Sequence, residues 1–224
     1  MSFNDQIQIL VCAAIPFIFA LTLSEAAKAF TARMLGDDSA LTASFCSLNP
    51  GKFIDPIGTI LMPLGLMLLG SPVFFGWAKP VLFNPNKFKN FNKGLALVVL
   101  SGPFANFLMA VAWMLILCLA IYLRLDTIDV KLLQFVVLTS ELGVIINVVL
   151  ILFNLLPIPP LPGSYIVMNL LPARYAIQYA GLKQYNLFII LFLVVTGAFR
   201  VIFGPVVLWT NSFINSLISH MTLM

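Results

Sequence analysis

Thirty consecutive residues, 94–123, carry no charged side chain. A helix rises ~1.5 Å per residue and the hydrocarbon core of a bilayer is ~30 Å thick, so about 20 such residues suffice to cross it. Comparable apolar runs occupy about residues 6–35, 132–153 and 187–202. Backbone groups in lipid have no water to bond, which selects helices for such spans. The expectation is an all-α polytopic membrane protein with about 4–6 transmembrane helices. Composition agrees: the 224 residues are 61% hydrophobic and 9% charged, whereas soluble domains are about 25% charged. That excludes a soluble domain on a single anchor. No polar linker or low-complexity stretch divides the chain, so one domain over 1–224 is expected. The net charge of +4 lacks the aromatic-interleaved basic patches of nucleic-acid binding. It reads instead as lysine and arginine retained on the cytoplasmic side of a membrane.

The first span, residues 6–35, is longer than a crossing needs, so it should tilt or protrude. Pro16 should bend it, and Gly36-Asp37-Asp38-Ser39 should end it. The apolar run 53–70 contains Pro56, Gly58, Pro63 and Gly65, too many breakers for one straight helix. With the aromatic stretch that follows, it predicts a re-entrant or extended segment near 53–83. A lysine-bearing loop is expected over 84–93. Beyond the span 132–153, Pro157, Pro159, Pro160 and Pro162 predict an unwound loop near 154–163, followed by a short helix over 164–171. Gly204-Pro205 should kink the chain after the last strong span, 187–202. The sequence leaves open whether 205–224 crosses the membrane.

If 53–81 returns on the side it entered, Arg33, Lys52, Lys87, Lys89, Lys93, Arg174 and Lys183 fall on one side. The neutral loop 124–131 falls on the other, with Arg200 as the exception. This satisfies the positive-inside rule with an outside N-terminus. The same arrangement puts the ends of the first span and of the span 132–153 on one side, so both can line a single cavity. The N-terminus lacks a basic region and a cleavage signal, so it reads as a retained span. Cys12, Cys46 and Cys118 form no CxxC pair, which argues against a disulfide framework or a cysteine zinc site.

Two charges interrupt the first span, Glu25 and Lys28. Each costs roughly 2.5–3.5 kcal/mol at the centre of a spanning helix on insertion scales, so each is a functional-site candidate. Ser24, Glu25 and Lys28 lie at i, i+1 and i+4 and project from one face. In one reading Lys28 neutralises Glu25, three residues earlier, as a buried ion pair. In another, Ser24 and Lys28 form a serine–lysine dyad, which needs a neutral amine and an oxyanion hole. A carboxylate beside the amine opposes that state.

The frame Ser24-Glu25-Ala26-Ala27-Lys28 is that of a zinc helix His-Glu-x-x-His, in which two histidines hold metal and the glutamate is the base. Together with Asn154-Leu155-Leu156-Pro157 and Pro160-Leu161-Pro162-Gly163, it resembles the site-2 protease family (peptidase M50) of intramembrane zinc metalloproteases. The family's second motif is Asn-x-x-Pro-x-x-Pro-Leu-Asp-Gly. Arg33-Met34-Leu35-Gly36-Asp37, Asp55-Pro56-Ile57-Gly58, Phe75-Gly76-Trp77-Ala78-Lys79-Pro80 and Ser101-Gly102-Pro103-Phe104-Ala105-Asn106 are similar to further family segments, in the right order.

The resemblance implies that Ser24, Lys28 and Pro162 occupy the three metal-ligand positions. Glu25 occupies that of the general base, and Asn154 a substrate-binding position. Serine is a poor zinc ligand, lysine repels the ion and proline has no ligating side chain. The only histidine, His220, reads as a tail or interfacial residue. The expected protein is therefore a family member without its zinc, predicted to hold no cofactor. Glu25 would be a vestigial base, and the expected function is binding a membrane-protein partner or its transmembrane segment within the bilayer of a bacterial inner membrane. The alternatives are an active peptidase using an altered metal site or Ser24–Lys28 chemistry, and a small carrier or channel.

Overall fold

The computed structural model describes residues 3–68, 76–122, 130–159, 161–185, 188–189, 192–193 and 196–222. The protein is an all-α polytopic membrane protein, and no strand occurs among the described residues. Four described helices are long and apolar enough to cross a bilayer: α1 (Phe3–Met34), α4 (Phe91–Tyr122), α5 (Val130–Leu155) and α8 (Ala198–Thr222). The chain forms two compact units, Met1–Asn106 and Phe107–Met224.

In the first unit, α1 ends as its sequence requires. Gly36 takes the left-handed region at φ 113°, which L side chains avoid. Its N–H bonds Arg33 O, and the Asp37 N–H bonds Ala32 O. This pairing satisfies helix-end carbonyls that would otherwise be orphaned. Helix α2 (Ala40–Phe45) starts from Ser39, whose hydroxyl accepts the Thr42 N–H. The breakers after residue 53 act as expected. Asp55 caps a π-helical turn, Pro56–Leu61, by accepting the Ile57 and Gly58 N–H groups. That turn runs into the short α3 (Met62–Leu68). Residues 69–75, within the expected re-entrant or extended segment near 53–83, lie outside the described residues.

Residues 76–84 form an extended strap. The Trp77 N–H donates to Gly58 O at 3.2 Å and the Lys79 N–H to Phe53 O at 2.7 Å. The Thr59 hydroxyl donates to Trp77 O at 2.7 Å. A Cβ added at Gly76 would fall 2.4 Å from Gly58 O, and one at Gly58 2.4 Å from the Trp77 indole, so two glycines permit this close crossing. The expected loop 84–93 is shorter than its polarity suggests. A 3-10 turn covers Pro85–Lys87, Phe88 is buried, and α4 begins at Phe91. Phe88 packs with Ala32 and Val98 in a core that also receives Leu35 and Phe83.

In the second unit, Leu117 of α4, Val144 of α5 and Ile214 of α8 share a core flanked by Trp113 and Val148. A Cβ at Gly143 would meet the Trp113 ring at 2.5 Å. Helix α5 reaches Leu155, and α6 (Pro162–Leu170) follows the non-helical residues 156–159 and 161. The expected unwound loop near 154–163 is thus present but narrower, with Asn154 inside α5 and Pro162 already helical. Proline needs no N–H partner in a first helical turn, and this favours the earlier start. Pro160 and the loop 124–129 lie outside the described residues. Next come α7 (Ala173–Ala180) and a 3-10 turn, Gly181–Tyr185.

The C-terminal reading needs correction. Much of the expected span 187–202 lies outside the described residues. The described spanning helix is α8, and Gly204-Pro205 sits inside it. One proline costs a single helical hydrogen bond, whereas breaking the helix in lipid would orphan several backbone groups.

Candidate intramembrane site

The charged stretch of α1 is the candidate site. Ser24 is buried, and Glu25 and Lys28 are each 16% exposed at the side chain. Lys28 Nζ lies 2.5 Å from Glu25 Oε1. The other carboxylate oxygen, Oε2, accepts the Val81 N–H of the strap at 3.1 Å. Both oxygens of Glu25 are therefore engaged, one by an ammonium on its own helix and one by a backbone donor remote in sequence. The ion-pair reading of Lys28 matches this geometry. Among the described residues, no hydrogen bond joins Ser24 to Lys28.

Helix α4 closes one side of the site. A Cβ at Gly102 would lie 2.8 Å from both Ser24 Oγ and Lys28 Cε. Gly102 thus lets the α4 backbone approach the face that bears Ser24 and Lys28. Asn106 lies one turn along α4 on the same face. It is 1% exposed, and neither polar atom of its amide has a partner among the described residues. A buried, unpaired amide costs about 1–3 kcal/mol, so Asn106 is a costly polar group facing the same side of α4 as Gly102.

The remaining candidates belong to the second unit. Asn154 is half-buried and donates to Leu150 O of its own helix at 2.8 Å, which leaves its carbonyl oxygen as acceptor. Pro162 is buried at the start of α6. A Cβ at Gly163 would fall 2.1 Å from Leu155 O, so the Pro-Gly pair turns α6 back tightly against the end of α5. His220 is exposed in the last turn of α8.

Sequence reasoning missed Val81 as a partner of Glu25. Nothing in the strap's sequence marks Val81, because the contact uses only its backbone N–H. The small-residue patch 101–106 was visible, but not the particular atoms that Gly102 faces.

These features define a polytopic intramembrane protein with a polar, charge-paired face on its first spanning helix. Two relatives place it further. Over 198 residues the chain is 34% identical to "Putative zinc metalloprotease YwhC" of Bacillus subtilis (strain 168), covering 87% of this chain and 83% of that protein. Over 197 residues it is 30% identical to "Putative zinc metalloprotease Rip2" of Mycolicibacterium smegmatis (strain ATCC 700084 / mc(2)155), covering 88% and 71%. The chain belongs to the site-2 protease family of intramembrane zinc metalloproteases. No family model and no solved structure matches it.

The family implies zinc, but the residues present do not fit the ion. Zinc takes imidazole, thiolate or carboxylate donors. The corresponding positions offer a hydroxyl, an ammonium and a proline ring, and the one nearby carboxylate is already paired with that ammonium. Among the described residues, no three His, Cys, Asp or Glu side chains are grouped to hold a metal.

Proposed function

We propose that this chain is a non-catalytic site-2 protease homologue that binds a transmembrane segment of a partner protein. The observation that carries the reading is the double engagement of Glu25 by Lys28 and Val81. A general base works best with its carboxylate turned to a reacting water; here one Glu25 oxygen is held by the Lys28 ammonium and the other by the Val81 N–H. Lys28 places a fixed positive charge where the family places a zinc ligand, so the helix supplies its own counter-ion. Glu25 then has a structural reason to remain: it pins the strap to α1.

Binding rests on Asn106, whose amide, unpaired among the described residues, is able to pair with the backbone of an unwound segment, which in lipid must find partners inside protein. Water activation by a metal has no part in this reading. The bacterial relatives and the charge asymmetry support the inner membrane of a bacterial cell as the location, with the basic loops facing the cytoplasm.

The test is zinc content and cleavage of a membrane substrate, measured on the wild type beside a Ser24→His, Lys28→His, Pro162→Asp triple variant. The wild type should hold less than about a tenth of an equivalent of zinc and cut nothing, as its donor set dictates. Stoichiometric zinc in the wild type, with activity lost on chelation, would overturn the proposal. A peptidase activity abolished by Ser24→Ala would replace it with serine–lysine chemistry.

A further inference from the structure

We propose that α7 and the turn after it form an interfacial element that lies on anionic phospholipid headgroups of the protein's own bilayer. On α7, Ala173, Ala176, Ile177 and Ala180 share one face, and Arg174 and Gln178 lie opposite. No residue of α7 or of Gly181–Tyr185 is buried. Ile177 is 74% exposed, so at its centre the apolar stripe has no cover among the described residues.

The depth of the element is set by two contacts. The Tyr179 hydroxyl donates to Pro157 O at 2.6 Å, two residues past the end of α5. The start of α6 packs against Leu155 O at Gly163. Both tie the segment to the level at which a spanning helix leaves the bilayer. Three of the five tyrosines, Tyr175, Tyr179 and Tyr185, fall within this stretch. Their amphipathic rings suit the headgroup region.

Charge selects the lipid. Arg174 and Lys183 are exposed, and the chain has no acidic residue after Glu141. Two cations beside an apolar stripe match phosphate-bearing anionic headgroups over a hydrocarbon boundary. Each cation near such a surface favours contact by roughly fivefold.

Hydrogen exchange of the full chain tests this in nanodiscs of phosphatidylcholine alone and with about a third phosphatidylglycerol. Amides of 173–185 should exchange up to about twenty-fivefold more slowly in the anionic discs. Arg174→Gln with Lys183→Gln should abolish that difference and leave exchange elsewhere unchanged. Ile177→Asp should speed exchange in both lipids. Equal wild-type rates in the two lipids, or a difference that survives the double variant, would overturn the proposal. So would protection seen only in native membranes, which would assign the face to a protein. If Ile177→Asp fails to fold, the exposed Arg174 and Lys183 variants decide the matter alone.

Discussion

Two carboxylates near the C-terminal end of α1 hold the same strap by opposite means. Glu25 takes the Val81 N–H and an ammonium. Asp37, fully buried, takes the Asn84 N–H at 2.7 Å, the Thr42 hydroxyl at 2.6 Å and the Ser39 N–H at 3.1 Å, with no cation among these partners. Burial would push the Asp37 carboxyl up, but bonds from Asn84, Thr42 and Ser39 outweigh it and bring the pKa down to about 2. Neutral donors aimed at one point are therefore enough to hold an anion outside the spanning segments. In the span, Glu25 has a full counter-charge. The two carboxylates thus hold the second half of the strap, at Val81 and at Asn84.

The largest expected effect breaks the Asp37 end. Asp37→Ala would leave three donors facing a void and should cost about 3–5 kcal/mol, read as a lowered thermal midpoint in detergent. Titration sharpens the same point. The folded pKa lies below the unfolded value of 3.8, so the stabilisation is complete above about pH 4 and is lost as pH falls towards about 2. Its size is on the order of 2 kcal/mol. Asp37→Asn should lack this acid step relative to the wild type, and an unchanged pH profile in that variant would remove Asp37 as its source.

The Glu25 end should respond less, because its groups are partly exposed. Lys28→Met leaves the carboxylate without its counter-charge and should cost roughly 2–3 kcal/mol. Adding Glu25→Gln, which keeps an acceptor for Val81, should recover most of that loss, to within about 1 kcal/mol of the wild type. Additive losses in the double-mutant cycle would mean that the pair is not coupled. The smallest effect belongs to Asp38, the exposed neighbour of Asp37. Its ion pair with Lys87 lowers the Asp38 pKa and raises that of Lys87, but water and salt screen it. Lys87→Gln should leave the thermal midpoint unchanged at every salt concentration.

Three of the four described spans could be read within a few residues, because uncharged length is a direct record of bilayer thickness. The end of α1 at Gly36 and the cap at Asp55 were equally legible, since turn chemistry is local. Helix α8 was not. Gly204-Pro205 pointed to a kink beyond a span at 187–202 and left the crossing of 205–224 open, whereas the pair sits inside the spanning helix, because lipid penalises broken backbone more than one missing bond. The site divides in the same way. Ser24, Glu25 and Lys28 on one helix face follow from their spacing, and the ion pair from their charges. The roles of Val81, Gly102 and Asn106 depend on which backbone passes α1, and no local pattern encodes that.

The sequence alone determined, through composition and uncharged length, that this chain lives in a membrane as helices. Its motifs resemble those of the site-2 proteases, and that resemblance puts Ser24, Lys28 and Pro162, side chains unfit for zinc, at the expected ligand positions. Only the tertiary structure decided what became of Glu25. Its second oxygen is bonded by a residue 56 positions away, through a backbone N–H that every non-proline residue carries. A contact made by an atom common to nearly all residues leaves no mark in sequence.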